Sequence, residues 1–191
     1  VTTNDGVEAI ATKALAALGG LDILVNNAGG GSAFLGGSWT IPDKAWHDSL
    51  ELNLFAAIRL TNAVLPALRA SKDAAVVNIS STAATMPFGA FAHYGAAKAA
   101  LNAYSRTLAV ELAPSGIRVN VVSPGVISTP GSDEFSKAHP EFSPADWIRS
   151  IPLGRIGAPE DIAEAVALLV SDRGKFIAGV IYRVDGGMTG A

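Results

Sequence analysis

The sequence predicts an α/β fold of parallel strands joined by crossover helices. Short apolar runs of strand length alternate with segments of helical period along the whole 191 residues. Three of those runs also end in small polar residues, proline or glycine: Asn26-Asn27-Ala28-Gly29, Ser80-Ser81 and Ser123-Pro124-Gly125. That is the composition of turns leaving the carboxyl end of a strand. The length is that of one domain closing one hydrophobic core, so residues 1–191 are expected to form a single unit.

A first helix is expected over Asp5 to Leu18, where Val7, Ile10, Ala14 and Leu18 recur at helical spacing and Gly19-Gly20 stop it. Leu21 to Asn27 reads as a buried strand. A long helix from Asp43 carries Trp46, Leu50, Leu54, Ile58, Thr61, Leu65 and Leu68 on one stripe, with Pro66 expected to bend or end it. Ala75 to Ser80 is the next strand, and Ala92 to Ala113 a helix rich in small residues that let a neighbour approach its backbone. A strand from Ile117 to Ser123 is broken by Pro124-Gly125. Residues 127–158 hold Pro130, Pro140, Pro144 and Pro152, an irregular excursion expected to contain short helices and to act as a substrate lid. Pro159-Glu160-Asp161 opens the last helix with proline and acids in its first turn, and Gly179 to Val184 closes the sheet.

Composition excludes several classes. Nearly half the residues are apolar, but no run approaches the roughly 20 residues of a membrane-spanning helix, so no membrane partner is expected. The net charge of -3 is mixed along the chain without a basic cluster, which argues against nucleic acid. There is no cysteine and no basic-then-apolar leader, so a cytoplasmic protein is expected. His47, His93 and His139 are scattered, and no metal site is expected.

In an open parallel sheet, ligands bind beyond the carboxyl ends of the strands, where all three polar clusters fall. Any one cluster is explained by an ordinary turn; three at one level point to a crevice. Tyr94 and Lys98 are four apart on a predicted helix, so they project from one face about a turn apart. An ammonium near a phenol favours the phenolate, lowering the tyrosine pKa from about 10 and making it usable as an acid/base. Alone, the pair reads as a common surface combination, and it is the Ala-rich helix following a strand that ends in two serines that turns it toward the crevice.

Leu24-Val25-Asn26-Asn27-Ala28-Gly29, Asn53, Asn78-Ile79-Ser80-Ser81, Tyr94-Gly95-Ala96-Ala97-Lys98, Asn120 to Gly125 and Val184-Asp185-Gly186-Gly187 resemble the short-chain dehydrogenase/reductase family, in order and at its spacing. The set is most similar to the 3-oxoacyl-thioester reductase branch. The resemblance implies a Rossmann-like, doubly wound parallel sheet and an NAD- or NADP-dependent oxidoreductase that interconverts a ketone and a secondary alcohol. It implies a catalytic group of Ser81, Tyr94, Lys98 and Asn53. Ser81 would bond the substrate oxygen, Tyr94 pass the proton, Lys98 hold the nicotinamide ribose, and Asn53 support a water relay to Lys98. Without the resemblance, Asn53 reads as a solvent-bonded residue in mid-helix. Cofactor contacts would come from Asn27, Ala28, Gly29, Tyr94, Lys98, Pro124, Gly125, Ile127 and Thr129. Thr129 reads equally well as a helix cap. The family usually forms dimers or tetramers, so a homo-oligomer is expected.

The family's opening strand and its TGxxxGxG turn, which places pyrophosphate at a helix amino terminus, have no counterpart here. Val1-Thr2 resembles the end of the family's third strand. The amino-terminal strands are therefore expected to be missing, either as a fragment or truncation or with the gap covered in an oligomer. The strand at Leu21 to Asn27 should then have an open apolar edge, the chain by itself should bind dinucleotide poorly, and the choice between NAD and NADP is unreadable. Two other readings stand beside the redox one: a catalytically silent remnant with a structural role, and a cofactor-free enzyme such as a halohydrin dehalogenase, a group that has arginine where Lys98 stands.

Overall fold

The computed structural model describes residues 1–190. Four parallel strands, β1 (Ile23–Asn26), β2 (Ala75–Ile79), β3 (Arg118–Pro124) and β4 (Ile181–Val184), lie in the order β1-β2-β3-β4. Helix α1 (Asn4–Leu18) precedes the sheet. Helices α2 (Asp43–Leu50) and α3 (Ala56–Ala70) join β1 to β2, and α4 (Ala92–Leu112) joins β2 to β3. Between β3 and β4 come α5 (Pro130–Ala138), α6 (Pro144–Ser150) and α7 (Pro159–Val170).

Strand alternation divides the core in two. Val76 and Val119 face one side, packing with Val64 and Leu68 of α3, Leu108 and Leu112 of α4 and Ala11 of α1. Val77, Ile79 and Val122 face the other, against Ala165 and Leu169 of α7. Helices therefore cover both faces of one parallel sheet, as expected of the doubly wound class. β1 pairs only with β2. Its Ile23 and Val25 are 44% and 39% exposed on the side away from α3, so the strand expected to be buried is covered on one face only and its apolar edge stays open. Among the described residues, no helix is long and apolar enough to cross a membrane.

Helix ends follow local chemistry. Thr3 caps α1, its hydroxyl accepting from Gly6 N at 3.2 Å, and Gly19 ends that helix in the left-handed region at φ 72°. Arg118 is buried with its guanidinium donating to the carbonyls of Leu169, Val170 and Gly174, so the last turn of α7 is capped from β3. Buried asparagines on the strands are also paired. Asn26 donates to Thr61 Oγ1 and Asn78 Oδ1, Asn78 donates to Ser105 Oγ, and Ser105 to Leu101 O, tying β1, α3, β2 and α4 together.

The long helix departs from expectation. Pro66 neither ends nor breaks it, because α3 runs on to Ala70 with Pro66 on the exposed side, where the carbonyl left without a donor is solvated. The irregularity is at Glu51–Phe55, a π turn centred on Asn53. The extra residue shifts the phase, so the buried stripe runs Ser49, Asn53, Ala57, Thr61, Val64, Leu68. Of the predicted stripe, Thr61 and Leu68 are buried, while Leu50, Leu54 and Ile58 are half-buried. The strand expected from Leu21 begins at Ile23, with Asp22 joining the ladder only through its carbonyl, which accepts from Ala75 N at 2.9 Å.

Candidate active site

The crevice sits beyond the carboxyl ends of β1, β2 and β3. Each strand delivers its polar cluster there: Asn27 to Gly31 after β1, Ser80-Ser81 after β2, and Gly125 to Thr129 after β3. A cavity of about 1000 Å³ is walled by these segments, by Tyr94 and Lys98 of α4, and by Ile162, Ala163 and Val166 of α7. A second cavity of about 380 Å³ opens on its far side toward the lid. Ser81, Tyr94 and Ile127 stand in the walls of both.

Tyr94 and Lys98 point to one side of α4, as their spacing predicts. The Lys98 ammonium lies 5.8 Å from the Tyr94 ring centroid, within cation–π range. It donates to Ile79 O at 2.7 Å, the one hydrogen bond to protein that Nζ makes among the described residues. Two of its N–H groups are left for a ligand. Ser81 caps the short turn at Thr82–Ala84, its hydroxyl accepting from Ala83 N at 3.2 Å. The hydroxyl proton is therefore left for the phenol or for a substrate oxygen.

Electrostatics correct one expectation. Lys98 does not acidify Tyr94 in the free protein: burial raises the phenol above its ordinary 10, and the neighbouring Ser81 hydroxyl only partly opposes this. Lys98 itself, 3% exposed, is pushed down by burial to about 8. The same apolar walls disfavour charge on both groups, and the ammonium sits over the ring instead of at the phenol oxygen. At neutral pH the pair is thus a neutral phenol beside an ammonium.

Asn53 is 1% exposed and bonded to protein, not solvent. Its Oδ1 accepts from Gly30 N at 3.0 Å, and its Nδ2 donates to Gly30 O at 2.8 Å and to Ser49 O at 3.0 Å. The π turn between α2 and α3 thus presents one amide that clamps the glycine loop. Gly29 lies so close behind it that a Cβ there would sit 2.8 Å from both Asn53 Oδ1 and Lys98 Nζ. Gly31 backs onto Tyr94 in the same way, at 2.9 Å.

After β3, Gly157 pairs with the chain on either side of Ile127: Ser128 N donates to Gly157 O at 2.8 Å, and Gly157 N to Val126 O at 3.0 Å. The N–H and C=O of Ile127 itself have no protein partner among the described residues. Thr129 is the amino-terminal cap of α5, in a reciprocal capping box with Ser132, and it also lines the larger cavity. The cap reading holds.

Of the predicted contact residues, Asn27, Gly29, Ser81, Tyr94, Lys98, Pro124, Gly125, Ile127 and Thr129 meet at the larger cavity. Ala28 is exposed and outside its wall, and Asn53 stands behind it. Sequence reasoning missed the aromatic wall of Phe91 and Phe135, shared by both cavities. Its signal was the concentration of aromatics in Phe88, Phe91, Phe135, Phe142 and Trp147. No group of His, Cys, Asp and Glu suited to a metal ion occurs among the described residues.

Residues 1–189 match the family model described as enoyl-(acyl carrier protein) reductase. The chain is 39% identical to the 3-oxoacyl-(acyl-carrier-protein) reductase FabG of Escherichia coli (strain K12) over 98% of its own length and 75% of that protein's. An oxidoreductase of the short chain dehydrogenase/reductase family from Burkholderia thailandensis superposes with a TM-score of 0.86 at 33% identity, covering 96% of this chain and 70% of that one. L-sorbose reductase from Gluconobacter frateurii, solved with NADPH and L-sorbose, superposes at 0.89 with 34% identity, covering 100% and 74%. The chain belongs to the short-chain dehydrogenase/reductase family of NAD(P)-dependent oxidoreductases.

Proposed function

We propose that the chain interconverts a ketone and a secondary alcohol, with Tyr94 as general acid/base. The observation that carries this is the placement of Ser81 and Tyr94 at the one wall common to two cavities, with Lys98 on the side of the larger. One cavity is then for cofactor and the other for substrate.

The larger cavity fits the nicotinamide end of the cofactor. The two spare donors of Lys98 suit the vicinal hydroxyls of a ribose. The unpaired N–H and C=O of Ile127 match the acceptor and donor of a carboxamide. Gly29 and Gly31 supply backbone without side chains where the walls are tightest. Bound there, the cofactor would supply the hydride chemistry.

The residues themselves hold and move the proton. Ser81 donates to the substrate oxygen and fixes its place, and Tyr94, protonated at neutral pH, gives that oxygen its proton as the ketone is reduced. Lys98 keeps a positive charge close to the phenol as its proton leaves. Asn53 is a positioning residue in this scheme: its bonds to Gly30 fix the loop against which Lys98 packs. Residues 127–158 form the lid over the smaller cavity. A homo-oligomer joined through α4 is supported by the exposed stripe of Ala96, Ala103 and Val110.

Nicotinamide absorbance followed with a ketone tests the reading. Tyr94→Phe should lower the rate about 10²- to 10⁴-fold, the range of a lost general acid, with the thermal unfolding profile kept. Full activity in the phenylalanine variant overturns the assignment. A halohydrin dehalogenase-like reaction is disfavoured by the ammonium of Lys98 at the crevice, and halide release without cofactor would reveal it.

A further inference from the structure

The smaller cavity carries more information than the reaction class. Its lid side is built from aromatic rings: Phe88 lies 5.3 Å from Phe91 in a stack and 5.6 Å from Trp147, and Phe91 lies 5.5 Å from Phe135. Phe142 backs this wall, stacked on Trp147 at 6.2 Å. Such faces bind flat or cyclic apolar groups by offset stacking and area burial. The volume of about 380 Å³ is toward the lower end of small-molecule sites, which span roughly 300–1,000 Å³.

Charge is equally selective. The single ionisable group lining the cavity, apart from Tyr94, is the carboxylate of Asp133, and no Lys, Arg or His joins it. Asp133 is exposed at the cavity rim, so its repulsion of an anionic ligand is screened by solvent but is offset by no cation in the wall. Two of the wall's hydroxyls are engaged by the protein, and the proton of Ser81 is kept for the substrate oxygen. Ser132 both donates to Thr129 O and accepts from Thr129 N, Ser128 donates toward Asp133, and Ser81 receives Ala83 N.

We infer that the substrate is an uncharged ketone or secondary alcohol carrying a compact apolar ring, and that Asp133 excludes carboxylate- and phosphate-bearing analogues. This rests on the proposed reading of Ser81 and Tyr94 as the groups that take the substrate oxygen. The ring then lies against Phe91, Phe135 and Trp147.

Binding can be read without turnover, because Trp147 is in the cavity wall. A neutral bicyclic ketone (2-tetralone) and the same ring bearing a carboxylate are titrated into the 191-residue chain by tryptophan fluorescence. Trp147→Phe serves as the blank for Trp39 and Trp46. The neutral ketone is expected to bind at least about tenfold more tightly. Asp133→Asn is expected to narrow that gap about fivefold, as for removal of one nearby like charge. Equal or tighter binding of the carboxylate, an unchanged gap in Asp133→Asn, or no binding of either ketone overturns the inference. Preferential binding of the neutral ketone with no oxidation or reduction under any cofactor leaves the cavity's selectivity standing and removes the redox reading instead.

Discussion

Burial sets the protonation of the site's two ionisable residues. Lys98 titrates near 8 in the folded protein against an ordinary 10.5, so between those pH values the unfolded chain binds more protons and stability rises with pH. The full rise is on the order of 3 kcal/mol, and the upward shift of Tyr94 opposes it above pH 10. Denaturant unfolding from pH 7 to 10 should show this rise in the wild type and not in Lys98→Met; equal pH profiles would show that Lys98 is not charged in a desolvated site. The same shift bears on activity. For ketone reduction, kcat/KM reports the free enzyme and should fall as pH passes about 8, where Lys98 loses its charge. The spacing of Tyr94 and Lys98 was legible in the sequence because a helix fixes it. The sign of the Tyr94 shift was not, because it depends on how dry the walls are, and these come from α7 and the lid, far away in the chain.

At the scale of elements, α4 must approach the turn after β2 closely enough to bring Tyr94 to Ser81. Gly95 makes this possible: a Cβ there would lie 2.6 Å from the carbonyl oxygen of Ala83. Alanine normally favours a helix over glycine by about 1 kcal/mol, yet a backbone oxygen cannot give way as a flexible side chain does. Gly95→Ala is therefore expected to lower the melting temperature and reduce activity at least tenfold, a loss of about 1.4 kcal/mol in barrier terms. A more stable and fully active alanine variant would show that the approach is not needed. The elements themselves were mostly readable. Pro159 with its acids marked the start of α7, and Gly19 the end of α1. The π turn was not readable: Leu50, Leu54 and Ile58 keep an unbroken helical period, and the phase shift is fixed by the bonds of Asn53 to a loop more than 20 residues away.

For the whole molecule, the parallel order β1 to β4 puts every strand's carboxyl end at one rim, so three separate polar clusters become one crevice. That much followed from the alternation of strands and helices. The lid's aromatic wall did not, since no spacing rule fixes how α5 and α6 fold back over β2's turn. The sheet ends at β1, whose Ile23 and Val25 stay open in this 191-residue chain. An apolar edge of this kind favours association through strand pairing. Ile23→Thr is expected to raise the concentration at which the chain aggregates, with stability changed by only about 0.5 kcal/mol; light scattering would read it, and an unchanged threshold would locate the association elsewhere.

The central claim is that Ser81, Tyr94 and Lys98 form one proton-transfer centre between a cofactor cavity and a substrate cavity. Transfer of deuterium from a reduced nicotinamide cofactor carrying deuterium at both C4 positions, in large excess, to the carbonyl carbon of a neutral cyclic ketone tests it most directly by mass spectrometry of the alcohol. One deuterium should appear in each product molecule, with the rate at least about 10²-fold lower in Tyr94→Phe. Label transfer at the wild-type rate in that variant, or alcohol formed without label, would contradict the account.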